Sequence, residues 1–240
     1  MKIPVMEVFG PTVQGEGMVI GQKTMFVRTA GCDYACSWCD SKFTWDGSEK
    51  ESIRLLEPEE IWAELKAAGG DRFSHVTISG GNPALLKALD GFVGLLHQKG
   101  MKVALETQGS RWQPWFLEID ELTISPKPPS SGMKTDFEIL DEIVQQLKEA
   151  KKGTFSLKVV IFNQDDFDYA IHVHQRYPGV DMYLQVGNED LVTTDQPQLV
   201  SMLLDKYEQL IDKVMDCPAL NDVRVLPQLH TYIWGNARGV

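Results

Sequence analysis

The stretch GCDYACSWCD, residues 31 to 40, places Cys32, Cys36 and Cys39 within eight positions, while the last of the chain's four cysteines, Cys217, stands far away. Three thiolates spaced Cys-x3-Cys-x2-Cys let one loop wrap a single inorganic centre. A structural zinc ion closes with four protein ligands, so Cys217 or a histidine would have to complete it. A cubane iron-sulfur cluster has one more iron than this loop has thiolates, which leaves that iron open to a small molecule. The same positions also suit the buried face of a helix, with cysteine as a small hydrophobe, or a set of redox thiols. Phe43 and Trp45, just beyond, suit a shield over a cluster and equally an ordinary core.

A second set of reactive side chains stands where apolar runs end. HVTIS leads into GGNP, KVAL into ETQG, ELTI into SPK, MYL into QVGN and VRVL into PQLH. Turn chemistry accounts for the Gly, Asn and Pro residues. It does not account for Glu106, Lys127, Gln185 and His230 together.

The elements that must hold these residues follow from periodicity. Short β-branched runs at 24–30, 75–79, 102–106, 121–125, 156–162, 182–186 and 222–226 read as strands. Helical patterns at 58–68, 85–98, 138–150 and 198–214 fall between them, the first opening on Pro58. Such alternation predicts an α/β fold with a mainly parallel sheet, and parallel strands open their carboxyl ends on one face, where the site belongs. Six or seven strands are too few for a closed barrel, so a partial (β/α) barrel with an N-terminal hairpin or edge strand beside it is expected. SPKPPSSG, 125 to 132, reads as a loop within one domain spanning 1–240.

Composition narrows the partners. At 43% hydrophobic residues, the 240-residue chain can bury a full core without cross-links, and its cysteines need another explanation. With 34 acidic against 23 basic residues, net charge −11, it would repel a phosphate backbone, so no nucleic-acid partner is expected and a small molecule is. The start MKIPVMEVFG lacks the long apolar stretch of a signal peptide or membrane span. A soluble cytoplasmic protein without a membrane partner is expected, and in that compartment clustered cysteines bind metals more often than they pair.

The cysteine spacing resembles the radical SAM superfamily. Within it, VFGPTVQGEG (8–17), FVRTAGCDYACSWCD (26–40), TISGGNPALL (77–86), LETQG (105–109), TISPKPPSSG (123–132), SLKVV (156–160), YLQVGN (183–188) and VLPQLHTYIWGNARGV (225–240) resemble the 7-carboxy-7-deazaguanine synthase family over essentially the whole chain. The resemblance implies a [4Fe-4S] cluster on Cys32, Cys36 and Cys39 in a loop at 31–45, whose open iron takes S-adenosylmethionine. It implies cofactor contacts from Ser79, Gly80, Gly81, Asn82, Glu106, Thr107, Ser125, Lys127 and Gln185. Asn82 stands where the family usually has Glu, which leaves no carboxylate at that point of the glycine-rich turn.

It further implies a pterin substrate, 6-carboxy-5,6,7,8-tetrahydropterin, met by Gln14, Gly15, Glu16, Arg28, Gln228 and His230, with a substrate-site tail at 225–240. Arg28 would face the substrate carboxylate and Glu16 the ring edge. Mg²⁺ would sit on Ser41, where relatives carry Thr. The implied reaction is radical ring contraction to 7-carboxy-7-deazaguanine with loss of ammonia, fed by a flavodoxin-like electron donor, in a homodimer. A cluster enzyme acting on a protein, and a zinc-held interaction module, are the competing readings of the cysteines.

Overall fold

The computed structural model describes residues 1–152 and 154–240. Among these, nine strands form one sheet: β1 (Ile3–Val13), β2 (Lys23–Thr29), β3 (Arg54–Leu56), β4 (His75–Gly80), β5 (Lys102–Thr107), β6 (Glu121–Ile124), β7 (Phe155–Ile161), β8 (Asp181–Val186) and β9 (Arg224–Leu226). Their spatial order is β3-β1-β2-β4-β5-β6-β7-β8-β9. From β2 to β9 every neighbouring pair is parallel, while β1 runs antiparallel to β2 and to the edge strand β3. The sheet is therefore an open, mostly parallel half-barrel with an antiparallel flank, as the βα alternation and the expected N-terminal strand imply.

The helices are α1 (Pro58–Gly69), α2 (Leu89–Gln98), α3 (Phe137–Glu149), α4 (Gln164–Arg176), α5 (Gln196–Met215) and a short α6 (Leu229–Trp234). Side-chain caps set several of their starts. Asp136 accepts from the Glu138 and Ile139 amides, Asn163 from Asp166 and Asp195 from Gln198, each satisfying orphan first-turn donors. The sequence reading did not pick out α4. Its buried face is only Asp166, Phe167, Ala170 and Val173, too thin an apolar stripe among polar residues to show as a helical period.

Strand alternation sorts the residues into two faces. Val76, Ile78, Leu105, Leu122, Leu157, Val159 and Leu184 enter one hydrophobic core with the helices. At those strands' alternate positions stand Thr77, Ser79, Glu106, Thr123, Ser156, Lys158 and Gln185, and they lie on the opposite, concave side. A parallel strand covered by helices is ordinarily apolar on both faces. Here the concave face is polar, and it forms the floor of a cavity.

Candidate active site

That cavity, about 450 Å³, opens at the carboxyl ends of the strands. Cys32, Cys36 and Cys39 line one part of it, and Gln14, Gly15, Glu16, Glu106, Lys158, Gln228 and His230 line another, with Arg28 and Ser41 also on its wall. Ser79, Gly80, Gly81, Thr107, Ser125 and Lys127 line it as well. Two expected site residues do not. Asn82 is fully buried behind the glycine turn, and Gln185 is fully buried on β8 with neither amide atom partnered.

The cysteine loop is held by its neighbours. Gly31 N–H bonds Thr44 O at 2.8 Å, closing the loop at its base. Ser37 N–H bonds Ser131 O at 3.0 Å and its hydroxyl bonds Ser130 O at 2.8 Å. The Trp38 indole donates to Ser130 Oγ at 3.0 Å, and the Tyr34 hydroxyl to Lys134 O at 3.1 Å. The SPKPPSSG loop is thus the clamp for the cysteine loop. Asp166, buried at the start of α4, secures the clamp by accepting from the Ser130 and Phe162 amides, each at 3.0 Å. The Phe162 ring then packs on Trp38, centroids 4.9 Å apart.

The glycine turn packs against the same loop from the other side. A Cβ on Gly81 would lie 2.1 Å from Gly31 O, because Gly81 and Asn82 donate their amides to Thr29 O and Gly31 O at 3.1 and 2.7 Å. Glycine is required here by the chain's own backbone. Asn82 ties the loop further, donating to Asp33 Oδ1 and Ser110 Oγ at 2.9 Å each while accepting from Thr107 Oγ1 at 2.8 Å. Its side chain is therefore spent on structure.

The three thiols are free, and burial raises all of them, Cys36 to about 11. N–H donors already point at two sulfurs: Tyr34 N–H at 3.4 Å and Gln108 Nε2 at 3.6 Å on Cys32, and the Trp45 indole at 3.4 Å on Cys39. Such donors stabilise thiolate once a metal has displaced the protons. Among the described residues, one set of three acidic, histidine or cysteine ligand atoms lies within 4.8 Å of one another, and it is Glu16, Asp40 and His230. The sulfurs are spread more widely than the roughly 4 Å that ligands on one zinc require. Cys217 precedes the turn Pro218–Leu220 and packs on the core away from the cavity. The residues fit a multi-iron centre with three protein ligands, and they do not close a zinc site.

Lys127 stands beside the thiols. Burial pulls its ammonium down, Cys36 opposes that, and the group bonds Ser125 O and Oγ at 3.0 and 3.1 Å with the Trp38 ring 6.0 Å away.

The far part of the cavity is an ion network. Lys158, 2% exposed, reaches Glu16 Oε2 at 2.5 Å and Glu106 Oε2 at 3.0 Å. Gln228 Nε2 donates to Glu16 Oε1 and Gln14 Nε2 to Glu106 Oε1, both at 2.9 Å. Burial alone would raise the Glu16 carboxyl, but the Lys158 ammonium, His230 and the hydrogen bonds from Lys158 and Gln228 together outweigh it and hold the group below the usual carboxylate range. Glu106, expected among the cofactor contacts, is bonded to Gln14, expected at the substrate, and to Lys158. Lys158 itself escaped the sequence reading. The available signal was a lysine inside the apolar strand SLKVVIF, where a buried ammonium needs carboxylate partners.

Arg28 joins the two parts. Its guanidinium contacts Glu7 at 2.8 Å and Ser41 Oγ at 2.9 Å, with Phe9 and Phe43 each 5.5 Å from it. Ser41 in turn donates to Asp40 Oδ1 at 2.8 Å. The tail closes the arrangement: Arg238 lies 3.5 Å over Phe43 and bonds Glu7 and Glu49, while Leu229 N–H bonds Gly15 O at 3.0 Å. A Cβ on Gly15 would meet His230 Nδ1 at 2.3 Å, so the QGEG glycine admits the tail histidine. Asp40 and Arg238 also went unread, because nothing local marks that Asp40 lies beside Glu16 and His230 or that Arg238 bonds Glu7 and Glu49.

The profile of the Radical SAM superfamily matches residues 26–189. The chain is 64% identical to the 7-carboxy-7-deazaguanine synthase of Bacillus cereus, covering 100% of this chain and 99% of that one. It is 65% identical to that of Bacillus subtilis, covering 99% and 98%. Among solved structures, QueE from Escherichia coli superposes with a TM-score of 0.71 at 22% identity, covering 96% of this chain and 95% of that one.

Proposed function

This chain belongs to the radical SAM superfamily and, within it, to the 7-carboxy-7-deazaguanine synthases; on that premise we propose that it converts 6-carboxy-5,6,7,8-tetrahydropterin to 7-carboxy-7-deazaguanine and ammonia. It is a radical enzyme that uses a [4Fe-4S] cluster and S-adenosylmethionine, and its reaction serves queuosine biosynthesis. The observation that carries the substrate reading is the single cavity with thiols in one part and a lysine-bridged pair of carboxylates in another.

Cys32, Cys36 and Cys39 would hold the cluster, with Gly80, Gly81, Ser125 and Lys127 beside it for the methionyl group. When bound, the cluster would supply one-electron reduction of S-adenosylmethionine, the source of the radical chemistry. The chain's own residues orient and enclose the substrate. Glu16 and Glu106 accept from the N–H groups of the amino-pyrimidinone edge, since ionised carboxylates are acceptors only. Arg28 offers its guanidinium to the substrate carboxylate, a geometry suited to paired hydrogen bonds. Ser41 and Asp40 stand beside Arg28, and Mg²⁺ on them would share that carboxylate with few protein ligands and several waters. The tail at 225–240, pinned through Arg238 and His230, excludes water from the reacting atoms.

The cluster needs a low-potential donor of the flavodoxin type, and a cytoplasmic homodimer completes the reading. Offering the anaerobically reconstituted enzyme 6-carboxytetrahydropterin and the same ring without its carboxylate tests it. Product should come from the carboxylated pterin alone. Equal turnover of both, or of neither, contradicts the assignment.

A further inference from the structure

We infer that Lys158 is a positioning residue: it fixes Glu16 and Glu106 as a pair of acceptors and, through them, decides which amide atoms of Gln14 and Gln228 are left for a ligand. The inference deepens the pterin reading and rests on it.

The hydrogen bonds form one chain across the cavity floor, Gln14–Glu106–Lys158–Glu16–Gln228. It joins the segment just after β1, the end of β5, the middle of β7 and the C-terminal segment. Every carboxylate oxygen in it is assigned: Lys158 takes one from each glutamate and a glutamine amide takes the other. A carboxylate cannot donate, so both glutamines must turn their NH₂ groups toward it. Their carbonyl oxygens are thereby directed elsewhere. Gln14 Oε1 accepts from Gly15 N–H at 2.7 Å, and Gln228 Oε1 is left buried without a partner. The fully buried Gln185 amide, two residues along β8 from the position that pairs with Lys158, is also unpartnered.

This arrangement selects a ligand rich in adjacent N–H donors. It depends on the lysine, because two carboxylates brought together without a cation share a proton. The protonated one would donate, reverse the amide bonded to it, and turn a donor toward the ligand's own N–H groups. Lys158 touches neither product nor reacting atoms in this scheme. It acts through the carboxylates, and its effect is on which ring edge binds.

The test is calorimetry with the reconstituted, S-adenosylmethionine-loaded protein held oxidised, so that no turnover occurs, using 6-carboxytetrahydropterin and its 2-oxo analogue, in which a carbonyl replaces the exocyclic amine. The wild type should prefer the 2-amino ring by roughly 100-fold, the size of one or two charge-assisted hydrogen bonds lost. In Lys158→Met, affinity for the 2-amino ring should fall roughly 100-fold and the preference should shrink to under about tenfold. A merely structural lysine would weaken both ligands alike and leave the preference intact, which overturns the inference. Should Lys158→Met fail to fold, Lys158→Gln keeps a donor of similar reach without the charge and leaves both carboxylates to share a proton; the same loss of preference is expected there, and a preserved preference overturns the inference. If neither variant folds, a wild type that binds the two rings equally overturns it. A wild type that neither binds nor converts the pterin sinks the substrate reading itself, whereas one that converts it beside a Lys158→Met enzyme with unchanged affinities removes only the role given to Lys158.

Discussion

Asp166 is the residue on which the cysteine loop's support converges, although it lies outside the cavity. It is fully buried, and its two oxygens accept from Ser130 and Phe162 amides, both at 3.0 Å. Asp166→Asn keeps the volume and one acceptor but aims an NH₂ group at the other amide. One hydrogen bond to a charged acceptor is lost and a buried N–H is left unpaired, together about 3 kcal/mol. For a chain of this size that corresponds to a fall in Tm of about 6–12 °C. Both severed segments carry the loop, Ser130 through its bonds to Ser37 and Trp38, and Phe162 by packing on Trp38. The expected result is therefore a double loss: a lower Tm in the metal-free protein, measured by circular dichroism, and less iron per chain after reconstitution. A variant that melts within about 2 °C of wild type, under ~1 kcal/mol by the same conversion, and takes up full iron would refute the clamp.

Arg28→Ala should raise KM for the carboxylated pterin roughly 100-fold, as expected when a paired guanidinium–carboxylate contact is removed, while 5′-deoxyadenosine formation without substrate is unchanged; steady-state kinetics on both reactions checks it. Gly81→Ala sets a methyl group against the Gly31 carbonyl, so unfolding in urea should show a loss of about 3 kcal/mol or more, in the range of backbone and overpacking clashes. Glu16 has a lowered folded pKa, so its contribution is present above the unfolded value of about 4.3 and is lost only as pH falls through the folded one. Melts of Glu16→Gln should accordingly lie below wild type by a constant margin from about pH 8 to 5, with the margin closing only at lower pH.

Much of this architecture could be read from local pattern. The β-branched runs at 75–79, 102–106 and 182–186 became β4, β5 and β8 within a residue at each end, because strand identity is a property of consecutive side chains. Strand β1 was harder, since Gly10 and Pro11 interrupt its run and leave it looking shorter than Ile3–Val13. Helix α4 was missed for its thin apolar stripe. At the site, the cysteine spacing declared itself, and Gln14, Glu16 and Arg28 are gathered on the cavity wall with it. What stayed hidden was pairing at a distance. Glu16 meets Gln228 across 212 positions, and Arg238 meets Glu7 across 231. Gly81 was visible as a turn glycine, but its reason, the Gly31 carbonyl at its back, is a fact of packing.

The central claim is that the cavity brings the carbon next to the pterin carboxylate up to the radical generated at the cysteine loop. The most direct measurement is anaerobic turnover of 6-carboxytetrahydropterin deuterated at C6, with S-adenosylmethionine, dithionite and Mg²⁺, followed by mass spectrometry. The expected result is a product lighter by ammonia together with deuterium in the 5′-deoxyadenosyl group, found in regenerated S-adenosylmethionine because the redox-neutral ring contraction takes a hydrogen back, and in any 5′-deoxyadenosine released by uncoupled turnover. 5′-Deoxyadenosine that carries no deuterium, formed beside unaltered pterin, would keep the radical enzyme and contradict the substrate placed in its cavity.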